Sequence, residues 1–346
     1  MKLLKLIICG ITFILFSGGY SVISQAEQKN TVPFAKPVDP IDTIIEAFKT
    51  YNVVALDEGH HTNIPGHEFR LALLRDPRFP EVVNDIVVEC GNSLYQDIMD
   101  RFTNGEEVTY DELRPVWEKT TATNGIWSRP IYYEFFCAVR DLNATLPADR
   151  RIRVLLGDPP VDRENQSDEE YNQLEMQRDS YPVALIEREV IAKSRRALIV
   201  YGGMHLIRKG AHGLISNPIF KKYMINEDQK PSNIVGILES KDIKVFVIWW
   251  SPNDKLIQLQ PNIASWKIPS LAFVKNTVLG LAPLTTFHSN NTTITRTIIT
   301  KLKTGEEKVE TIEEIVGADP ERSGLIQEGF DAILVFGPSK SIKLSR

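Results

Sequence analysis

Short apolar runs alternate with longer segments of helical character along most of the chain. The apolar runs are continuous and rich in β-branched residues, which is typical of strands buried on both faces of a parallel sheet. The longer segments have apolar residues at helical spacing, or are charged and helix-favouring, and suit crossovers between parallel strands. The pattern predicts a single α/β domain with helices on both faces of a central, mostly parallel sheet. The predicted strands are 52–56, 85–89, 152–157, 197–201, 234–238, 244–250 and 331–336, the predicted helices are 68–75, 132–142 and 167–193, and 274–300 is expected to mix strand and loop.

The amino terminus has the pattern of a signal peptide. Lys2 and Lys5 precede an apolar stretch over 6–16, and small residues follow up to Ala26. That stretch is shorter than the roughly 20 residues that span a hydrocarbon core, so we expect cleavage after Ala26 rather than a membrane anchor. The predicted organisation is a signal peptide over 1–26, an extended leader over 27–40 and an exported, periplasmic or secreted domain over 41–346 without membrane attachment.

Composition narrows the classes of partner. Hydrophobic residues make up 42% and charged residues 25% of the chain, as in an ordinary globular protein. The formal net charge of -5 and the pI of about 5.8 indicate no basic surface for nucleic acid, so a small-molecule substrate is the expected partner. Beyond the signal peptide only Cys90 and Cys137 remain, both in apolar segments. We expect buried thiols there, although export would permit a disulfide.

Carboxylates and histidines follow the first predicted strand. Residues 57–63 read Asp-Glu-Gly-His-His-Thr-Asn, and His67 comes shortly after them. Glu58 stands three residues before His61 across a glycine, where a carboxylate can orient an imidazole as a base or bind a metal beside it. Ligands of open parallel sheets bind beyond the carboxyl ends of the strands. This loop is therefore a candidate functional site.

Later strands bring further groups to the same edge of the sheet. Glu89 ends the second predicted strand, and His205 follows two glycines after the fourth. Each has an ordinary structural alternative, since Glu89 could cap a helix and His205 could be a buried, satisfied histidine. Strands distant in sequence nevertheless deliver carboxylate or imidazole to one edge, which favours a shared site.

Two more charged residues are candidates for binding substrate. Asp158 ends the third predicted strand, where it could face the site or brace the turn. Arg178 forms a charge pair with Asp179 that could bind an anion or polarise a carbonyl, although a solvated pair is more common. The sequence has no G-x-S-x-G, H-E-x-x-H or G-x-G-x-x-G motif, so we expect neither a covalent serine mechanism nor a dinucleotide cofactor.

Several segments resemble, in the same order, the erythromycin-esterase-like family. Residues 58–62, with Glu68-Phe69, resemble its first motif, although Asp57 stands where the family usually has glycine. The resemblance extends over roughly residues 50–210 and implies the same broad superfamily as ChaN-type haem-binding uptake proteins and Tiki metalloproteases. Residues 133–135 through 140–144 resemble the family's helix that ends in R-x-x-N-A, and 153–158 resemble its strand that ends in G-x-D. Arg178-Asp179 resembles its R-D pair, and 203–206 resemble its late histidine motif.

The resemblance implies a hydrolase that acts on an ester, lactone or amide bond. In such an enzyme His61, oriented by Glu58, activates water for attack on a carbonyl. Glu89 and His205 would position that water, stabilise charge on the carbonyl oxygen or, with Glu58 and His61, hold a divalent metal such as Zn, Mn or Fe.

Two other hypotheses stay open at this point. A non-enzymatic haem- or metal-binding uptake protein would use His60, His61 and His67 with the nearby Tyr201. A chain that keeps the fold without catalysis is the third hypothesis, and Asp57 is its only sign.

Overall fold

Seven strands form the central sheet of the computed structural model, which describes residues 32–61, 63–122, 125–208, 233–287, 292–301, 307–316 and 324–336. The strands are β1 (Val53–Asp57), β2 (Asp85–Asn92), β3 (Arg153–Asp158), β4 (Ala197–Tyr201), β5 (Val245–Pro252), β6 (Ser270–Phe273) and β9 (Ala332–Phe336), while β7 (Thr292–Lys301) and β8 (Glu307–Val316) form a separate antiparallel pair. Their spatial order is β3-β2-β4-β1-β5-β9-β6. Neighbours in the sheet are parallel except for β6 and β9.

Successive strand residues point to opposite faces of the sheet and enter two apolar layers. In β1, Val53 and Ala55 belong to one layer, and Val54 and Leu56 belong to the other. Helices cover both layers, so the predicted α/β fold is confirmed. One layer contains residues of α1 (Pro40–Ala47), α2 (Ile64–Arg75), α3 (Phe79–Val82), α4 (Gln96–Thr103), α5 (Tyr110–Leu113), α6 (Pro115–Glu118) and α7 (Pro130–Ala144), and the other contains residues of α9 (Ser180–Ile186), α10 (Ile234–Ser240), α11 (Asn253–Leu259) and α12 (Ile326–Gly329), with α8 (Asp168–Glu175) preceding α9.

The predicted strand at 234–238 is wrong, because these residues form α10. The Asn233 side chain caps this helix by accepting the Gly236 N–H at 2.9 Å. A short buried apolar run cannot be assigned to helix or strand from periodicity alone. The run also lies only a few residues before β5, whereas parallel neighbours need a crossover of about a dozen residues or more.

The predicted helix at 167–193 is interrupted. It consists of α8, α9 and a π-helical turn over Glu187–Ile191. Pro182 accounts for the break, because in a continuous helix its ring would clash with the carbonyl of Arg178, four residues earlier. Arg178 and Asp179 therefore lie in the connection between α8 and α9 rather than on a helix face.

Part of the predicted leader packs against the sheet domain. Ala35 is buried and exchanges two hydrogen bonds of 2.8 Å with the side chain of Gln260, and Val38 pairs with Leu271. Residues 1–31, which include the predicted signal peptide, lie outside the described residues. Cys90 and Cys137 are free thiols, and no helix in the described ranges is long and apolar enough to cross a membrane.

Candidate functional site

The carboxyl ends of three neighbouring strands carry the candidate site. β4 lies between β2 and β1, with Val88 of β2 opposite Val200 and Asp57 of β1 opposite Tyr201. The residues that follow these positions therefore meet at one edge of the sheet. Glu58 comes from the end of β1, Glu89 from β2 and His205 from the loop after β4.

Glu58 and His61 form a direct pair. Nδ1 of His61 lies 2.5 Å from Oε1 of Glu58. A carboxylate only accepts hydrogen bonds, so Nδ1 carries the proton and the lone pair of the neutral imidazole lies on Nε2. The Glu58 side chain is 4% exposed and that of His61 27%, which places the charged partner behind the ring and leaves the ring accessible.

A tight turn brings these two residues together. Gly59 adopts a φ of +71°, in the left-handed region that favours glycine. A Cβ atom at Gly59 would also lie 2.8 Å from the indole of Trp250. The Asn63 side chain fixes the far end of the turn by donating to the Glu58 carbonyl at 3.1 Å.

The surroundings of His61 favour its charged form. Its ring meets Trp127 edge-on, with 4.4 Å between ring centroids. Burial lowers the pKa of His61, but the hydrogen bond to Glu58 and the charges of Glu58 and Glu89 raise it by more, so the pKa lies above its ordinary value. His61 can act as a base only above that raised pKa.

Glu89 and His205 form a second cluster beside the first. Oε1 of Glu89 accepts from Arg178 Nη2 at 2.8 Å and lies 3.3 Å from His205 Nε2, while Oε2 accepts the Gly202 N–H at 2.7 Å. Nδ1 of His205 lies 2.8 Å from Oδ1 of Asp179. Both imidazole nitrogens thus face carboxylate oxygens, the arrangement of a doubly hydrogen-bonded imidazolium.

The charges of this cluster stabilise one another. Burial alone would lower the pKa of His205, but the charges of Asp179 and Glu89 raise it to about 10. Burial would raise the pKa of Glu89, yet His205, Arg178 and the Gly202 N–H hold it well below its usual range. At neutral pH the cluster is therefore a fixed set of buried charges rather than a proton donor or acceptor.

Gly202 marks the place where the two clusters approach. A Cβ atom there would lie 3.3 Å from Glu89 Oε2 and 3.9 Å from both His205 Cδ2 and His61 Cε1. The ring edge of His61 that carries Cε1 therefore faces the Glu89 and His205 pair across a single backbone position. The convergence predicted for Glu58, His61, Glu89 and His205 is present in the structure.

Asp158 braces a loop. Its carboxylate accepts from the N–H of Thr121 at 2.7 Å and from the hydroxyl of Thr121 at 2.5 Å. Burial raises the pKa of Asp158 to about 6 against the opposing effect of these hydrogen bonds. Arg178 lies 4.0 Å from Asp158 and 2.8 Å from Glu89. Of the two candidate substrate-binding residues, Arg178 is 30% exposed and Asp158 is engaged by its own chain.

Asp57 also lies at this edge. It is buried, and its carboxylate accepts from the N–H of Gly59 at 2.8 Å and from the N–H of Trp250 at 3.1 Å. Burial raises the pKa of Asp57 to about 7, although backbone hydrogen bonds from Gly59, Trp250 and Gly203 work in the opposite direction. The side chain is therefore part of the scaffold of the site.

The four proposed ligands do not fit a divalent metal in this arrangement. A histidine binds metal through a neutral nitrogen, yet both nitrogens of His205 face carboxylates. Glu89 is already paired with the guanidinium of Arg178, which repels a second cation. Within the described ranges, no three His, Cys, Asp or Glu side chains form a group that could hold a metal ion.

The residues considered for haem binding do not share one cleft. His67 is buried, with Nε2 3.0 Å from Glu134, and Tyr201 is buried within the sheet. His61 is engaged by Glu58. His60 is the exposed member of the set, with its ring edge-on to Trp250 at 5.7 Å between centroids.

Two site residues escaped the sequence analysis. Asp179 was predicted to be half of a solvated pair, but it holds Nδ1 of His205. Trp127 packs on His61 from a loop between α6 and α7, where an aromatic residue gives no sign of which side chain it contacts. For Asp179 the sequence did contain a signal, because Pro182, three residues later, interrupts any continuous helix through this segment.

Comparison of the chain with protein-family models and with curated proteins gives no match. Among solved structures, a succinoglycan biosynthesis protein is 10% identical, with a TM-score of 0.47 over 88% of this chain and 94% of that one. A Bacillus cereus protein is 12% identical, with a TM-score of 0.43 over 88% and 95%. ChaN of Campylobacter jejuni, described with cofacially bound haem, is 15% identical, with a TM-score of 0.37 over 62% and 87%. Similarities this low assign neither an activity nor a ligand to this chain.

Proposed function

We propose that the chain is a hydrolase of ester, lactone or amide bonds with His61 as its general base. The observation that carries this proposal is the 2.5 Å contact between His61 Nδ1 and Glu58 Oε1 at the carboxyl edge of the sheet. A buried carboxylate behind a partly exposed imidazole fixes the tautomer and leaves Nε2 for a proton from water.

Apart from water, the proposed reaction uses only side chains of the protein. His61 Nε2 takes a proton from water while the water oxygen bonds to the carbonyl carbon, and the carbonyl electron pair moves to its oxygen. When the tetrahedral intermediate collapses, the bond to the leaving alkoxide or amine breaks and the leaving group receives the proton from His61. Because Glu58 stabilises the imidazolium that forms between these steps, it lowers the barrier to the first proton transfer.

The second cluster supplies positive charge for the intermediate. Arg178 and His205 are held by Glu89, and Arg178 is partly exposed. Fixed charges that need no rearrangement stabilise a developing oxyanion more effectively than mobile ones do. We assign Arg178 to the carbonyl oxygen, Glu89 to holding Arg178 in place, and His205 to holding Glu89.

We further propose that the hydrolase acts outside the cytoplasm after cleavage at Ala26. The support is the sequence pattern of residues 1–26 alone. Intact-mass measurement of protein recovered from the culture medium or periplasm tests this, because a mature chain that begins at Glu27 is expected and a full-length chain would contradict it.

Turnover by purified protein tests the catalytic proposal. Aryl esters, lactones and anilides are offered to the wild-type chain, to His61→Ala and to His60→Ala. We expect His61→Ala to lose turnover by about 100-fold or more, the usual contribution of a general base. His60, the adjacent exposed histidine, is the matched control and is expected to keep it. Equal turnover by His61→Ala, or none by the wild type, contradicts the proposal.

The same variants separate hydrolysis from haem binding. If the chain binds haem instead, a Soret band appears when haem is added. Exposed His60 is then the expected ligand, so His60→Ala loses the band and His61→Ala keeps it. The two functions therefore predict opposite outcomes for the same pair of substitutions.

A further inference from the structure

Asp57 joins three segments that carry or support the site. Its buried carboxylate accepts the N–H groups of Gly59 in the loop after β1 and of Trp250 in β5. Gly203 in the loop after β4 lies directly beside it, since a Cβ atom there would be 2.8 Å from Oδ2. The first and last of these loops contain His61 and His205. One side chain thus connects the loop of the proposed base with the loop of the second cluster.

The carboxylate lies at the point where the hydrogen bonds between β1 and β4 end. The Glu58 N–H donates to the Tyr201 carbonyl at 3.0 Å, and beyond this hydrogen bond the segments that follow β1 and β4 form separate loops. Backbone N–H groups left without acceptors in a buried place destabilise the fold. Asp57 supplies those acceptors, so it holds together the two loops where the sheet no longer does.

The tryptophans of β5 leave little freedom for these loops to settle elsewhere. A Cβ atom at Gly203 would lie 2.5 Å from the ring of Trp249 and 2.8 Å from Asp57 Oδ2, and one at Gly59 would lie 2.8 Å from the ring of Trp250. Both loops therefore pass in close contact with β5 on either side of Asp57. Their separation depends on the carboxylate between them.

We propose that Asp57 is a positioning residue that sets the distance between the His61 loop and the Glu89 and His205 pair. It does not touch the reacting atoms and acts through the backbone of Gly59 and Gly203. The inference rests on the proposed function for its purpose, while the positioning itself can be measured without any substrate. Asp57 would then be an added constraint on the site rather than a sign of lost catalysis.

The test measures the spacing directly. In the full chain with labelled histidine and glycine, a nuclear Overhauser effect is expected between His61 Hε1 and an Hα of Gly202, because a Cβ at Gly202 would lie 3.9 Å from His61 Cε1. Asp57→Ala should lose this signal. Asp85→Asn is the matched control, since Asp85 is another fully buried carboxylate, at the opposite end of the strands, and it should keep the signal.

Kinetics provide the second readout. Asp57→Ala should lower kcat by about 100-fold, the loss that a misplacement of about 1 Å can cause, with KM changed less than about twofold. Asp57→Asn, which keeps the shape and one acceptor, should show a smaller loss, and it takes the place of Asp57→Ala in both measurements if the alanine variant does not fold. An unchanged Overhauser signal in a folded Asp57 variant overturns the inference. Absence of turnover by the wild type instead counts against the proposed function, and the Overhauser result still decides the positioning.

Discussion

Buried ion clusters occupy both ends of β2. At its amino end Asp85 is fully buried and accepts from Nε of Arg153 at 2.7 Å and from Nε of Arg195 at 2.7 Å. At its carboxyl edge Glu89 is buried and accepts from Arg178 at 2.8 Å, with His205 at 3.3 Å. Two buried carboxylates four residues apart on one strand thus offset the cost of their desolvation with different cations.

The difference lies in what can titrate. Among the described residues, the ion-pair partners of Asp85 are the guanidinium groups of Arg153 and Arg195, which stay charged throughout the physiological range. The carboxyl-edge cluster includes His205, whose pKa of about 10 keeps it charged at neutral pH but lets it lose its proton in the alkaline range. His61, which is accessible and also titrates, lies close by. A buried ion cluster alone therefore does not mark a functional site, and it is the imidazole with the nearby accessible base that makes the carboxyl-edge cluster the candidate.

The largest expected effect comes from removing the charge behind His61. Glu58→Gln keeps the shape of the side chain but not its charge, so we expect kcat to fall by about 100-fold or more. The pKa of His61 should also fall, because Glu58 raises it, and the acid limb of the pH–rate profile then moves to lower pH. Histidine NMR titration and the kinetics of both proteins measure these changes. Asp85→Asn should alter neither, and a shift of the limb in that variant would break the comparison between the two ends of β2.

Removing either buried carboxylate should destabilise the fold by a similar amount. Glu89→Gln leaves Arg178 and His205 without the anion that they share. Asp85→Asn likewise leaves Arg153 and Arg195 without their shared anion. Loss of one partner from a buried ion pair costs about 3–5 kcal/mol. Urea unfolding at pH 7 measures both, and a loss confined to one variant would show that the two clusters do not carry equal structural weight.

The two clusters should respond differently to pH. The pKa of His205 is about 10 in the folded chain, above its ordinary value of 6.5. Its contribution is therefore fully present below about pH 6.5 and is lost as pH rises towards 10, by at most about 1.4 kcal/mol for each pH unit. Unfolding free energies across this range should fall for the wild type and for Asp85→Asn. His205→Gln should lack that part of the fall, and a parallel decline in all three proteins would assign it to other groups.

Sequence periodicity located six of the seven strands of the sheet, because these strands appear as apolar runs buried within the sheet, but it missed the short edge strand β6. It failed at 234–238, where an equally apolar run belongs to a buried helix. For the site, the strand-end rule located Glu58, Glu89 and His205, since the ends of parallel strands share one edge. The rule could not predict which of these side chains form hydrogen bonds or ion pairs with one another.

Pairing depends on side-chain directions and on backbone donors that sequence does not display. The family resemblance treats Asp57 as a departure from glycine, while two of its neighbours in the structure, Trp250 and Gly203, lie far from it along the chain. The predicted metal set failed the fit for the same reason, because the sequence shows ligand types but not that Arg178 and Asp179 already occupy the positions around Glu89 and His205.

The smallest expected effect concerns the hydroxyl of Tyr201 at the carboxyl edge. The hydroxyl of Tyr201 is buried and has no hydrogen-bond partner among the described residues, whereas both oxygens of Asp85 are engaged by arginines. A buried unsatisfied hydroxyl costs about 1–3 kcal/mol, so Tyr201→Phe should leave the free energy of unfolding unchanged or raise it by about 1 kcal/mol. Gly157→Ala is the comparison variant, because the Cβ atom that it adds would lie 1.8 Å from the Tyr201 oxygen. This substitution should destabilise the fold by about 1–3 kcal/mol through overpacking. Urea unfolding of both variants measures the two effects. A clear loss of stability in Tyr201→Phe would mean that the hydroxyl contributes to the charge balance around Glu89, and that the carboxyl edge is as fully satisfied as the amino end.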